Sequence, residues 1–334
     1  MTFPNCAVSR FSVPMSMAVL VLVSLALPQR DAFAETRYPG KAVRIVLPFA
    51  AGGVADITAR VVADRLGVKF AGRFYVENQP GAGGIAAART VIASPPDGHT
   101  LALLSNGTAI SVSLFSNLPY DPLKDFAPIS SLGFFDFIFA TSADSPFKTL
   151  ADLIAAAKAK PGSLNVGTIN VGSTQNLSAE LFRTAAELDF VIIPHRSTPE
   201  VLVSTIQGNL GLMIDSYSAM KGNLADGKIR ALAATGPARS AGTPDIATVQ
   251  EAGVADYDVV SWNALFAPAG TPPEITTALN QALQEVLAEP DVKKRLLELG
   301  IEAKASTPEE ISARLRSDID KWREVIEKAG IQKQ

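Results

Sequence analysis

His99 and His195 are the only imidazoles in the 334-residue chain, so any serine-hydrolase chemistry has to run through one of them. No Gly-x-Ser-x-Gly elbow is present to hold a nucleophile for either. Ser218-Ala219-Met220-Lys221 has the Ser-x-x-Lys spacing, but no Lys-Thr-Gly follows it, and chance accounts for the match. His99 lies in a proline-rich turn and reads as a surface residue. His195, in Pro194-His195-Arg196-Ser197 at the end of a predicted strand, is the base that an exported hydrolase or lyase would use, with Asp215 to orient it. No group of His, Asp and Glu has the spacing of metal ligands, so neither a metal nor any other cofactor is expected.

What the sequence does repeat is a glycine-bearing loop between a predicted strand and a predicted helix. The first runs Pro48-Phe49-Ala50-Ala51-Gly52-Gly53-Val54-Ala55-Asp56. Its glycines fit either a tight turn or a seat where main-chain N–H groups and the helix dipole hold an anion, with Asp56 in the first helical turn under both readings. Phe49 would line a cavity or fill the core, and Trp262 poses the same choice. The second loop, Asn78-Gln79-Pro80-Gly81-Ala82-Gly83-Gly84-Ile85-Ala86, contains the dinucleotide spacing G-x-G-x-x-A. That fingerprint belongs to the first strand of its unit and needs an acidic residue at a strand end about 20 positions on. Here it follows a second strand, and the nearest candidate, Asp97, falls in the turn Pro95-Pro96-Asp97-Gly98. A third loop, Thr168-Ile169-Asn170-Val171-Gly172-Ser173-Thr174, offers Ser173 or Thr174 as a helix N-cap or as a hydroxyl donor to a ligand. Parallel α/β sheets bind ligands at such strand ends.

The elements that must position these loops alternate short β-rich runs with helical ones, the pattern of an α/β protein with parallel strands. Strands are predicted at 43–47, 74–77, 101–104, 137–141, 164–168, 190–194, 210–214 and 229–234, with helices at 56–66, 85–93 and 150–160 among those between them. After Trp262 one strand-like run, 264–267, precedes helices at 273–287, 292–299 and 308–328. That tail is too short to build its own sheet and is expected to fold back on the first lobe. The expected lobes are therefore 35–137 with 262–334, and 138–261 as an insertion between two crossing strands.

Residues 1–34 read differently from the rest. Arg10, an apolar run from Val13 to Leu27, and Ala32-Phe33-Ala34 have the order of a secretory leader cut after Ala34, and the run is too short to span a bilayer. The one cysteine, Cys6, falls inside it, so the mature chain has no thiol for a disulfide, a nucleophile or a metal. The whole chain carries a net charge of −3, and the leader's Arg10 and Arg30 against Asp31 leave −4 for the remainder. Such a mildly acidic balance gives no support for binding to nucleic acid or an anionic membrane, both of which require a basic surface.

With these loops in view, the chain resembles the substrate-binding receptors of tripartite tricarboxylate transporters, the Bug family of periplasmic binding proteins. The resemblance is carried by Tyr38-Pro39-Gly40-Lys41, the 48–56 loop, Val76 to Gly84, Pro96-Asp97-Gly98-His99-Thr100-Leu101, Asp125-Phe126-Ala127-Pro128-Ile129, Leu232 to Gly236, Pro244-Asp245 with Thr248 to Gly253, and Ala267 to Pro272, in order over nearly all of 38–331. It implies a two-lobed Venus-flytrap fold of the type II-like periplasmic class, each lobe a mainly parallel sheet flanked by helices, joined by two crossing strands. It further implies a monomer without catalysis that captures a small carboxylate or acidic amino acid and hands it to a small and a large integral-membrane subunit. A receptor of the same fold serving a sensor is the alternative. The family's carboxylate seat maps to the main-chain amides of Gly52, Gly53, Ala82 and Gly83, and Gly172, Ser173, His195 and Asp215 map to cleft-lining positions. Three departures stand out. Ala51 and Val54 replace a proline and a hydroxyl residue of the first loop, Pro194-His195-Arg196-Ser197 replaces Pro-Tyr-Lys-Gly, and Asn170 stands where glycine is common.

Overall fold

The computed structural model describes Thr2 and residues 38–334; the leader and its cleavage position lie outside these residues. In chain order the elements are β1 (Val43–Leu47), α1 (Val54–Lys69), β2 (Phe74–Asn78), a 3-10 turn (Ala82–Gly84), α2 (Ile85–Ile92), β3 (Thr100–Ser105), α3 (Asn106–Leu114) and β4 (Phe126–Ser142). Then follow α4 (Leu150–Ala159), β5 (Asn165–Ile169), α5 (Thr174–Ala185), β6 (Val191–His195), α6 (Thr198–Ile206), β7 (Leu212–Ser216), α7 (Tyr217–Ala225) and β8 (Ile229–Ala234). The chain finishes with β9 (Val260–Pro268), α8 (Pro273–Ala288), α9 (Pro290–Leu297), β10 (Ile301–Ala303) and α10 (Pro308–Ala329).

Two sheets share one strand. In the first, β2, β1 and β3 run parallel with β1 between its neighbours, and β9, β4 and β10 close it in antiparallel fashion. In the second, β6, β5 and β7 run parallel with β5 between its neighbours, and β4 and β8 pair antiparallel beside them. β4 is 17 residues long because it changes partners along its length. Phe126 to Asp136 pairs with β9, and Phe137 to Ser142 pairs with β7 and β8. Only its second half was expected from the sequence. Its first half, Phe-Ala-Pro-Ile-Ser-Ser-Leu-Gly, contains Pro128 and Gly133, and register irregularities fall beside both. The fold is thus the α/β two-lobed class, a curled pair of sheets flanked by helices.

Local signals fix the helices. Thr307-Pro308-Glu309-Glu310 opens α10 with a capping box, in which the Glu310 N–H donates to Thr307 Oγ1 (3.2 Å) and the Thr307 N–H donates to Glu310 Oε2 (2.9 Å), and Gly330 closes the helix in the left-handed conformation. The buried face of α10 carries Ile311, Leu315, Ile319 and Trp322. Trp322 Nε1 donates to Asn106 Oδ1 (2.6 Å) and so ties α10 to α3. Trp262 is fully buried and belongs to the core; its Nε1 donates to Asp318 Oδ2 (2.6 Å), which also accepts from Arg314 Nε (2.8 Å). A carboxylate this deep persists only because it is paired and hydrogen-bonded. His99 is half-buried, not at the surface as the turn suggested, because its ring leans on Tyr38 with centroids 5.4 Å apart.

Candidate functional site

The C-terminal ends of β1, β2, β3 and β5 converge on one cavity of about 640 Å³, within the usual range for small-molecule sites. Its lining includes Pro48 and Phe49 from the first loop, Gly81 to Gly84 from the second, Ser105, Thr108, Ser111 and Leu114 along α3, and Ile169 to Ser173 from the third. Among the described residues, no lysine, arginine, histidine, aspartate or glutamate lines it. A second hollow of about 430 Å³ lies beside α4 and the 208–211 turn, away from all three glycine loops.

The second loop lines one side of the cavity. Gly83 and Gly84 both take left-handed conformations, with φ of +61° and +65°, which turn the chain sharply into α2. The Gly84 N–H donates to the Gly81 carbonyl (3.1 Å), and the Gly83 carbonyl accepts from the Tyr120 hydroxyl (2.7 Å). Burial pushes the Tyr120 phenol up, so it stays protonated and remains a donor. The N–H groups of Ala82 and Gly83 meet no acceptor among the described residues, which leaves two main-chain donors for an anion. The dinucleotide reading loses its acidic partner here. Asp97 lies before β3, at the opposite end from the cavity, where it pairs with Lys41 (2.9 Å) and accepts the His99 N–H (3.0 Å).

The first loop sends Phe49 to the cavity but keeps its glycines out of the lining. The Gly52 N–H donates to Asp56 Oδ2 (2.9 Å), and the buried Asp56 carboxylate also accepts from Arg60 Nε (3.0 Å) and Asn78 Nδ2 (2.9 Å). Asn78 Nδ2 reaches the Phe49 carbonyl as well, at 3.0 Å. Burial works to raise the Asp56 pKa and is its largest single influence, but the bonds from Arg60, Gly52 and Asn78 together outweigh it and hold the carboxyl below its usual range. This network ties the end of β2 to the loop carrying Phe49. Gly53 is exposed and caps α1 without a side-chain bond.

On the opposite wall, Gly172 has φ of +79° and its N–H donates to Asn176 Oδ1 (3.1 Å). Ser173 caps α5, accepting the Asn176 N–H (3.1 Å) and donating to the Ile169 carbonyl (3.0 Å). Of the sequence candidates, Phe49, Ala82, Gly83, Gly172 and Ser173 thus meet at one cavity, whereas Gly52, Gly53, Asp56, His195 and Asp215 stand outside its lining. His195 Nδ1 lies 2.9 Å from the Ile193 carbonyl, and no contact joins it to Asp215 among the described residues. Asp215 is buried and accepts from Thr198 Oγ1 (2.5 Å), the Ser216 N–H (2.7 Å) and Gln175 Nε2 (3.2 Å). Burial raises its pKa, and those bonds partly offset the rise. Lys221 turns away from Ser218 to the Glu298 carbonyl (3.0 Å), which dissolves the Ser-x-x-Lys pair.

α3 is the part of the site that sequence reasoning did not find. Ser105 caps it by accepting the Gly107 N–H (3.2 Å), and Thr108 Oγ1 accepts the Ser105 N–H in return (3.2 Å). Gln334 also borders the cavity, since its N–H donates to the Leu114 carbonyl (2.8 Å) and its carbonyl accepts from the Ser116 N–H (2.8 Å). The Ser105-x-x-Thr108 capping spacing was the one available signal for α3.

Comparison with known proteins bears on the family and the fold. The profile of the tripartite tricarboxylate transporter family receptor matches residues 58–331. Among solved structures, an R. palustris protein with adipate is 32% identical, with a TM-score of 0.80 over 89% of this chain and 100% of that one. MatC from Rhodopseudomonas palustris with bound malate is 31% identical, with a TM-score of 0.75 over 86% of this chain and 100% of that one. The periplasmic binding protein BugD is 29% identical, with a TM-score of 0.77 over 89% and 100%. Among the described residues no helix is long and apolar enough to cross a membrane. The chain belongs to the tripartite tricarboxylate transporter receptor family of periplasmic solute-binding proteins.

Proposed function

We propose that this protein captures a small carboxylate between its lobes in the periplasm and delivers it to the small and large membrane subunits of a tripartite transporter, without catalysing a reaction on it. The observation that carries the reading is the pair of N–H groups at Ala82 and Gly83, without an acceptor among the described residues, in the lining of a cavity bounded by strand-end loops of both sheets. Anion binding there needs no cationic side chain, because main-chain dipoles already point at the site. Relatives solved with adipate and malate support a carboxylate as the ligand. On this reading the leader is removed after Ala34, residues 35–137 and 262–334 form one lobe and residues 138–261 the other. Phe49, Gly172 and Ser173 close the pocket around the seat, and Asp56 positions the first loop through Asn78.

The test is thermal unfolding of the purified protein against a broad panel of carboxylates. A ligand that binds only the native state stabilises by about 2.7 kcal/mol at a hundredfold excess over Kd. Concentration-dependent shifts with at least one acid are expected. A panel in which no acid shifts the melting, while an ester or amide is consumed, would reject the receptor in favour of an enzyme.

A further inference from the structure

The seat at Ala82 and Gly83 is polar, but much of what surrounds it is not. The Phe115 ring stands against Gly83 so closely that a Cβ there would fall 2.9 Å from Cε2. Leu114 reaches from α3 to Gly172, and Phe49, Ile169 and Val171 complete an apolar surround. Each hydroxyl near it already makes a bond to the main chain, although Ser105 and Thr108 only accept and keep their own protons. Ser105 and Thr108 serve the start of α3, Ser111 donates to the Gly107 carbonyl (2.8 Å), and Ser173 is held in the cap of α5.

Resting on the receptor reading above, we infer that the ligand is a monocarboxylate with an apolar body, aliphatic or aromatic, and not a di- or tricarboxylate or an amino acid. A second carboxylate carried past Phe115 and Leu114 meets only neutral donors and, among the described residues, no cation in the lining, which offsets its desolvation less than a charged partner would. An ammonium group meets no acidic side chain in the lining among the described residues. A methyl or aryl terminus gains instead, at roughly fourfold in affinity for each methylene it buries. The inference separates this chain from its relatives solved with adipate and malate, both of them diacids.

Hexanoate and adipate make a matched pair, since both have six carbons and differ in whether the far end is a methyl or a carboxylate. Isothermal titration of the full-length mature protein is expected to give hexanoate at least tenfold tighter than adipate. Adipate binding as tightly as hexanoate, or more tightly, overturns the inference while leaving the receptor reading standing. Absence of binding by every carboxylate tried overturns both. Asn170 is exposed at the edge of the same cavity. Asn170→Arg, which places a cation at that edge, is expected to raise the affinity for adipate at least tenfold relative to that for hexanoate. An unchanged ratio of the two affinities in that variant also overturns it.

Discussion

A methyl group on Gly172 would lie 2.2 Å from Cδ2 of Leu114, well inside the contact distance of two carbons, although Gly172 follows a strand of the second sheet and Leu114 ends a helix packed on the first. Gly172 also has φ of +79°, a conformation that a side chain adopts only under strain. Absence of a side chain here lets the two halves approach across the cavity. Gly172→Ala is expected to weaken ligand binding at least tenfold in calorimetric titration. Gly172→Ala combined with Leu114→Ala should recover part of that loss, because the second change removes the clash but leaves the backbone strain of about 1 kcal/mol. Equal affinities for the wild type and Gly172→Ala would show that closure does not use this approach.

Asp56 is expected to matter for stability through the loop it holds. Asp56→Ala removes the acceptor shared by Gly52, Arg60 and Asn78 and should cost about 2–3 kcal/mol in denaturant unfolding. Because the folded carboxyl titrates below its usual range, its stabilisation is complete above the unfolded value and is lost as the pH falls through the folded one. The difference between wild type and Asp56→Asn should therefore be constant near neutrality and shrink only in strong acid. A difference that vanished already at pH 6 would contradict this.

Asp136 behaves in the opposite sense. It stands where β4 exchanges one sheet for the other, and a Cβ on Gly236 would fall 2.6 Å from its Oδ1. Burial, with the negative charges of Asp258 and Glu302, raises its pKa to about 7. A carboxyl raised in the folded state penalises folding fully above that value, and the penalty is relieved as the pH drops toward the unfolded value. Asp136→Asn is expected to stabilise the protein at pH 8 by about 1–2 kcal/mol, after discounting for its partial exposure, and to lose that advantage near pH 4. Melting curves across that range check it; an advantage that grew in acid would refute the assignment.

Trp322 and Asn106 connect the last helix to the one lining the cavity. Trp322→Phe leaves the Asn106 carbonyl oxygen buried without its donor, which should cost about 1–3 kcal/mol. If α3 is held in place this way, the variant should also weaken ligand binding several-fold at temperatures where it remains folded. Full affinity in the folded variant would make the bond purely structural.

The glycine loops were legible in the sequence because a strand-to-helix turn demands glycine whatever it binds. Their separate roles were not. Gly52 and Gly83 sit in similar motifs, yet the Gly52 N–H is taken by Asp56, four residues on, whereas the Gly83 N–H meets no such partner. That difference arises from where a nearby carboxylate points, which residue spacing does not specify. α3 escaped for another reason. Asn106, Thr108, Ala109, Ile110, Ser111, Ser113 and Leu114 are all buried, so the helix has no solvent face and shows no amphipathic period. β10, at three residues, is too short for any alternation to register and exists only because β4 offers it an edge. β1, β3 and β7 were readable because they are buried on both faces and appear as compact apolar runs.

The shared strand has a consequence for how the polypeptide matures. During synthesis β3 and the first half of β4 emerge early, yet the strand that lies between them is β9, made only after the entire second sheet. The first sheet therefore stays incomplete, with hydrogen-bonding edges unclaimed, until residues 260–268 arrive. Closing so long a loop is slow. Until then the open edges of β3 and β4 are the places where a wrong strand could pair.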